Sequence, residues 1–226
     1  MLVGSALITA SSLAYFDFAT LPPFVVEKFP VRFESLWLAS LRVHVATAAL
    51  TFPLCLLLTT RWLQRRAAWH RRLGRFAGAL VLFALVPSGI VLAFDAKGGW
   101  LVSSGFLLSA AIVGGCMVAG VLAARRRDLV LHRRAMQHVV GQMSVAVVSR
   151  ALILGFDAMG IDPDLSYAVA LWGPVLASVA VVEVALLRSV FSTFNSLKPI
   201  GRIRREVPPL LVRIRTVVHP VARLGR

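Results

Sequence analysis

Long uninterrupted apolar runs dominate the chain. Six of them are close to or above the roughly 20 residues that an α-helix needs to cross a bilayer's hydrocarbon core. None shows the period-two alternation of a membrane-barrel strand. The pattern predicts an all-α polytopic membrane protein with six transmembrane helices, the first of them an uncleaved helix and not a signal peptide. The runs cover residues 2–21, 36–58, 76–94, 101–124, 136–158 and 167–187.

The polar segments between these runs alternate in charge. Arginines concentrate in segments 61–75 and 125–134 and in the tail 188–226, whereas the other connections carry carboxylates such as Asp95, Asp157 and Asp162. Basic loops stay on the cytoplasmic side of a membrane. We therefore predict a transmembrane domain over residues 1–187, a basic cytoplasmic tail over 188–226, and both termini in the cytoplasm.

The composition is typical of a membrane protein and indicates which partners to expect. The chain is 58% hydrophobic and 15% charged, with a mean hydropathy of +0.79 and a net charge of +15. Because that charge flanks apolar spans, anionic lipid headgroups at the basic loops and tail are the expected partners, and nucleic acid is not. The arginine-rich composition is typical of a GC-rich bacterium, which predicts a bacterial inner-membrane protein.

Several polar side chains fall inside the apolar runs. An ionisable group at bilayer depth costs about 2.5–3.5 kcal/mol on insertion scales, so each needs a partner or a purpose. His44 and Arg150 both lie roughly 10–12 Å from the outer surface at about 1.5 Å per residue. We expect Arg150 to be held inside the bundle beside His44 and shielded from lipid. The intramembrane polar candidates are Arg42, His44, Gln142, Arg150 and Glu183.

A weak internal repeat relates two helix pairs. Trp37 and Trp100 each begin a Trp-Leu-x-Ser motif, and each is followed one span later by a His-Arg-Arg motif, which begins at His70 and at His132. A duplication would place both histidines at one depth on parallel helices. Two such imidazoles are what haem b requires as axial ligands, and His138, more than a turn deeper, is a substitute ligand.

Two other interpretations of these histidines stay open. His-Arg-Arg is also an ordinary basic anchor at a helix end, and the same donors suit a headgroup phosphate. Cys55 and Cys116 lie inside apolar runs and predict no disulfide. The five histidines do not have the spacing of a zinc site, so we expect no separate metal ion, and no motif identifies a catalytic residue.

The polar motifs follow a recognisable order: His44, then His70-Arg71-Arg72-Leu73-Gly74-Arg75, then His132-Arg133-Arg134-Ala135-Met136, and Arg150 in the span that follows. This order resembles the bacterial membrane-protein family called domain of unknown function 2306, over about residues 41–187. Members of that family often have Trp where Ala135 stands. The resemblance implies a membrane protein and assigns no activity.

The motifs also resemble, more loosely, the ascorbate-dependent two-haem cytochromes b, which place histidine pairs on four core helices. The run 101–124 contains no histidine, so at most one such pair, on the inner side, is expected here.

Three functions follow as hypotheses. The first is a haem b- or quinone-associated redox membrane protein with a four-helix core. The second is a non-enzymatic accessory subunit of a larger membrane complex, or a protein that binds lipid or a small molecule. The third is a transporter. Whether the protein is an enzyme is left open by the sequence.

Overall fold

The computed structural model describes residues 4, 16, 25–26 and 30–196, and the described residues contain helices and no strand. Five of the helices are long and apolar enough to span a membrane. The prediction of an all-α polytopic membrane protein is confirmed. The predicted first span, 2–21, lies outside the described residues except for residues 4 and 16, and so does the tail beyond residue 196. The helices are α1 (Glu34–Leu58), the short α2 (Arg61–Gln64), α3 (Ala67–Phe94), α4 (Gly99–Arg125), α5 (Leu129–Ala158) and α6 (Pro163–Ser196).

Two helices begin well before the apolar runs that predicted them. α3 begins nine residues before residue 76, and α5 seven residues before residue 136. Arginine is a good helix former, and the Asp128 carboxylate caps α5 by accepting from the Leu131 amide at 3.0 Å. His70 and His132 therefore lie within helices, each as the fourth residue.

Four helices share the main apolar core, which agrees with the predicted four-helix core. α1, α3, α4 and α5 all contribute to it, and α6 packs on α4 and α5 through a second cluster formed by Val102, Val145, Leu171 and Val175. Gly105 lets α6 approach α4 closely, because a Cβ there would lie 2.8 Å from Leu171 Cδ2. The buried residues of the main core are Phe52, Cys55, Ala77, Val81, Leu85, Val113, Met117, Val139 and Met143.

α3 is not a regular α-helix throughout. Its middle is a single π turn, Val81–Leu85, and Pro87 follows within the next two residues. Proline lacks a backbone N–H and crowds the preceding turn, so a local widening of the helix is the expected response. The distortion lies beside α1, where it positions a histidine described below.

Eleven of the fourteen arginines in residues 1–186 gather at one end of the bundle, and the exceptions are Arg32, Arg42 and Arg150. We call this the basic end. α1 and α4 finish there, and α3 and α5 begin there. Its arginines are exposed: Arg61, Arg65, Arg66, Arg71, Arg72, Arg75, Arg125, Arg126, Arg127, Arg133 and Arg134.

Candidate functional site: three polar positions in the helix bundle

His44 on α1 is seated at the π turn of α3. Its Nδ1 lies 3.1 Å from the Leu85 carbonyl and 3.3 Å from the Ser88 hydroxyl. A carbonyl oxygen only accepts, so the bond to Leu85 has Nδ1–H as its donor. Gly89 makes room for the ring, because a Cβ there would lie 3.0 Å from His44 Cε1. His44 thus satisfies a carbonyl at the distorted turn and fastens α1 to α3.

Arg150 lies on the outside of the described helices. Its side chain is exposed, and its Nη1 donates to the Ala146 carbonyl of its own helix at 3.1 Å. The prediction that Arg150 is shielded from lipid is wrong. The predicted proximity to His44 is supported, because the two groups are close enough for the charge of Arg150 to act on His44. Arg42, the other intramembrane arginine candidate, is half-buried on α1.

Replacing Arg150 with leucine is therefore not expected to lower stability. The free energy of unfolding in detergent should fall by no more than about 0.5 kcal/mol, because the only described hydrogen bond that is lost lies within the same helix. Arg126→Leu, at the exposed basic end, is the matched comparison. A loss of several times that size in Arg150→Leu alone would show that Arg150 has a buried partner.

An ion-pair cluster joins α5 to α6 near the basic end. Arg134 Nε and Nη2 donate to the two carboxylate oxygens of Glu183 at 3.2 and 2.7 Å. His138 Nε2 lies 2.8 Å from Glu183 Oε1, and since a carboxylate accepts, the ring nitrogen donates. The two-pronged contact is the strong geometry for an arginine–carboxylate pair. We call Arg134, His138 and Glu183 the ion-pair cluster.

Gln142 lies one helical turn further along the same face of α5. Its Oε1 accepts from the Ser109 hydroxyl of α4 at 2.9 Å. Its Nε2 donates to the Val175 carbonyl at 3.0 Å and to the Ser178 hydroxyl at 2.8 Å, both on α6. Gln142 is only 3% exposed, so this amide ties three helices together in the interior.

Sequence analysis missed three of these residues. Ser109 and Ser178 were not singled out, and Arg134 was read only as part of a basic motif. A usable signal was present, because Arg134, His138 and Gln142 follow one another at intervals of four and so share one helix face.

His70 and His132 form a separate pair at the basic end. His132 Nδ1 donates to the Gly120 carbonyl of α4 at 2.9 Å. This bond fixes the ring and uses Nδ1, so Nε2 is the ring nitrogen that remains for a ligand. His70 Nδ1 is buried and has no hydrogen-bond partner among the described residues. The two rings are close enough to influence each other electrostatically. The structure thus brings His70 near His132 and places His138 with Glu183.

The chemistry of this pair is that of two imidazole donors. A buried ring nitrogen without a partner costs free energy and calls for an explanation, such as a bound group. A carbonyl that holds one ring nitrogen of a histidine is the usual support for a ligating imidazole. Within the described ranges, no three His, Cys, Asp or Glu side chains gather as a metal site. Two imidazole donors can help to hold a group that brings the rest of its own coordination.

A comparison with protein families identifies the relatives of this bundle. Residues 41–186 match the model of the family described as predicted membrane protein (DUF2306). The chain belongs to this family. The match covers α1 to most of α6 and therefore includes every polar position described above. No curated protein and no solved structure matches the chain. Membership of DUF2306 thus supports the membrane-spanning architecture and leaves the activity to be argued from the site.

Proposed function

We propose that this DUF2306 protein is a redox membrane protein in which His70 on α3 and His132 on α5 would hold haem b. The observation that carries the proposal is the pairing of these histidines. One imidazole is oriented by a carbonyl and the other has a buried nitrogen without a described partner. Both occupy the fourth position of helices that begin at the basic end.

Residues next to His70 and His132 would orient these rings and bind the anionic groups of a ligand. Gly120 holds the His132 ring in one orientation, and the exposed Arg71, Arg72 and Arg133, adjacent in sequence to the two histidines, offer positive charge to anionic substituents of a ligand. A bound haem b supplies one-electron transfer, for which a membrane quinone is a suitable partner. His138 is the weaker ligand candidate, because its Nε2 already donates to Glu183.

An absorption spectrum tests the proposal. The full chain, expressed with a haem supply and purified in mild detergent, should show a Soret band that shifts when dithionite is added. A pyridine haemochrome assay would give the haem content per chain. A colourless preparation without bound iron would rule out the haem hypothesis.

A second candidate function rests on the same end of the molecule. The partnerless nitrogen of His70 and the exposed arginines beside it also suit a phosphate-bearing lipid headgroup, as in a non-enzymatic lipid-binding protein or accessory subunit. Trp62 also lies at the basic end, and tryptophan is typical of the headgroup region of a membrane. The Arg66 guanidinium lies over its ring, 4.4 Å from the ring centroid. Anionic phospholipid retained by a colourless preparation, and lost in His70→Ala, would favour this function.

We further propose that the basic end faces the cytoplasm of a bacterial inner membrane, with both termini on that side. The support is the exposed arginine set at one end of the bundle. Reporter fusions at Ala68 and after Gly201 should read cytoplasmic, and fusions at Gly99 and Asp162 should read periplasmic. A cytoplasmic signal at Asp162 would contradict the orientation.

A further inference from the structure

A groove lies between α1 and α3 beside the π turn of α3, away from the His70–His132 pair. Its volume is about 250 Å³. Phe83 and Val43, which line it, are 82% and 46% exposed, so the groove opens on a surface that faces lipid in a membrane-spanning chain. A ligand would therefore enter from the bilayer. The lining residues are Ala39, Ser40, Val43, Phe83, Ala84, Pro87, Ser88 and Val91.

The groove lies within the span and not at the headgroup level. Ser40 is six residues from the start of α1 at Glu34, and Ser88 is six residues before the end of α3 at Phe94. At about 1.5 Å per residue, both serines lie roughly 9 Å inside the end of the bundle opposite the basic end. The side chains that line the groove in the described part of the chain carry no charge. A ligand bound at this depth should therefore be neutral.

Ser40 places a free hydroxyl in the groove. The residue is only 8% exposed, and its hydroxyl has no hydrogen-bond partner among the described residues. Thr47, Thr51 and Ser88 instead each donate to the carbonyl four residues earlier on their own helix. A largely buried polar group without a partner costs free energy and calls for a bound group.

The second hydroxyl of the groove is already engaged. Ser88 donates to the Ala84 carbonyl at 2.6 Å, and its oxygen lies 3.3 Å from His44 Nδ1. His44 does not line the groove, but its bond to the Leu85 carbonyl joins α1 to α3 at this level. The two walls of the groove are therefore held together by a hydrogen bond, and Ser40 is the donor that remains for a ligand.

These features define the chemistry of the ligand. It dissolves in hydrocarbon, it carries no charge, and the part that enters the groove is smaller than a drug-sized molecule, whose sites usually exceed about 300 Å³. A carbonyl oxygen only accepts and is satisfied by one donor, whereas an alcohol also brings a hydrogen that needs an acceptor. Phe83 and Pro87 offer flat apolar surfaces to a ring.

We propose that this groove binds the ring of a membrane quinone, with the Ser40 hydroxyl donating to one quinone carbonyl. The apolar tail of the quinone stays in the surrounding lipid. A quinone agrees with the redox function proposed above, but the groove is separate from the His70–His132 pair and its binding of quinone does not require haem.

Photolabelling tests the proposal. The full chain in lipid nanodiscs is illuminated with a short-tailed quinone that carries an azide, and mass spectrometry locates the label. Labelling should saturate, should fall on residues 39–43 and 83–91, and should be displaced by unlabelled decylubiquinone. Label spread along all lipid-facing helices and not displaced by the unlabelled quinone would overturn the proposal, because ordinary lipid chains would then occupy the groove.

Variants test the role of the groove residues. Ser40→Ala should raise the half-saturating quinone concentration about two- to tenfold, the effect of losing one hydrogen bond. Ala39→Phe should abolish specific labelling, because the larger side chain fills the groove from an exposed position that tolerates it. Ser104→Ala is the matched control, since that hydroxyl bonds to Leu101 within α4. Labelling of both groove variants at the wild-type level would overturn the proposal.

Two further measurements separate this site from the alternatives. His132→Ala should label as the wild type does, whatever its haem content, and loss of labelling in that variant would overturn a quinone site independent of the histidine pair. Decanol should displace the label far less effectively than decylubiquinone. Equal displacement would assign the groove to a lipid alcohol and overturn the quinone.

Discussion

Replacing His132 with alanine is expected to abolish the haem binding that we propose. The substitution removes a ring that the Gly120 carbonyl holds in position, so that only His70 would remain to hold the haem. His70→Ala should have the same effect because it removes the other axial imidazole. The measurement is the haem content per folded chain, with folding checked by gel filtration and helical circular dichroism.

Two control variants separate ligation from general damage at the basic end. Arg126→Ala changes an exposed side chain at the basic end that has no assigned contact with the ligand, and it should retain the Soret band. His138→Gln should also retain it, because His138 is engaged by Glu183. Full haem content in His132→Ala, or its loss in His138→Gln alone, would show that the axial ligands are assigned wrongly.

The architecture was predictable because it depends on a repeated and redundant signal. Each of the five apolar runs from residue 36 onward was long enough to identify a span by itself, and the runs 36–58 and 101–124 correspond to α1 and α4 within a few residues. Helix starts were less predictable. Basic turns at the headgroup level are helical but not apolar, so α3 and α5 begin before the hydropathy signal does.

The polar sites were only partly predictable from the sequence. A residue's depth follows from counting along its span, which is why His138 and Glu183 could be expected at similar depth, and the structure joins them. The direction of a side chain around its helix does not follow from depth. Arg150 is the instructive case, since its position suggested a buried partner and its guanidinium instead bonds to the Ala146 carbonyl.

His44 shows a second reason for the limits of sequence reasoning. Its contact is with the Leu85 carbonyl at a π turn, and no residue signature marks that turn apart from nearby Pro87. A helix carbonyl has a second lone pair that can accept from a neighbouring side chain, so the sequence does not indicate which carbonyl is used. The same holds for Gly120, whose carbonyl supports His132.

Gln142→Leu is expected to lower the free energy of unfolding by about 2 kcal/mol. Gln142 makes three interhelical hydrogen bonds, and such bonds contribute about 0.6 kcal/mol each in membrane proteins. The leucine side chain has nearly the same volume, so the loss comes from the bonds and from a Ser109 hydroxyl left without its acceptor. Reversible unfolding in mixed micelles, followed by circular dichroism, would measure the change.

The matched control for this substitution is Gln137→Leu, five residues earlier on an exposed face of α5. It makes the same chemical change without removing an interhelical bond, so its effect should stay within about 0.5 kcal/mol. An equal response from the two variants would mean that Gln142 is not what holds α4, α5 and α6 together. A large loss confined to Gln142→Leu would show that the bonds of this amide to α4 and α6 hold the three helices together.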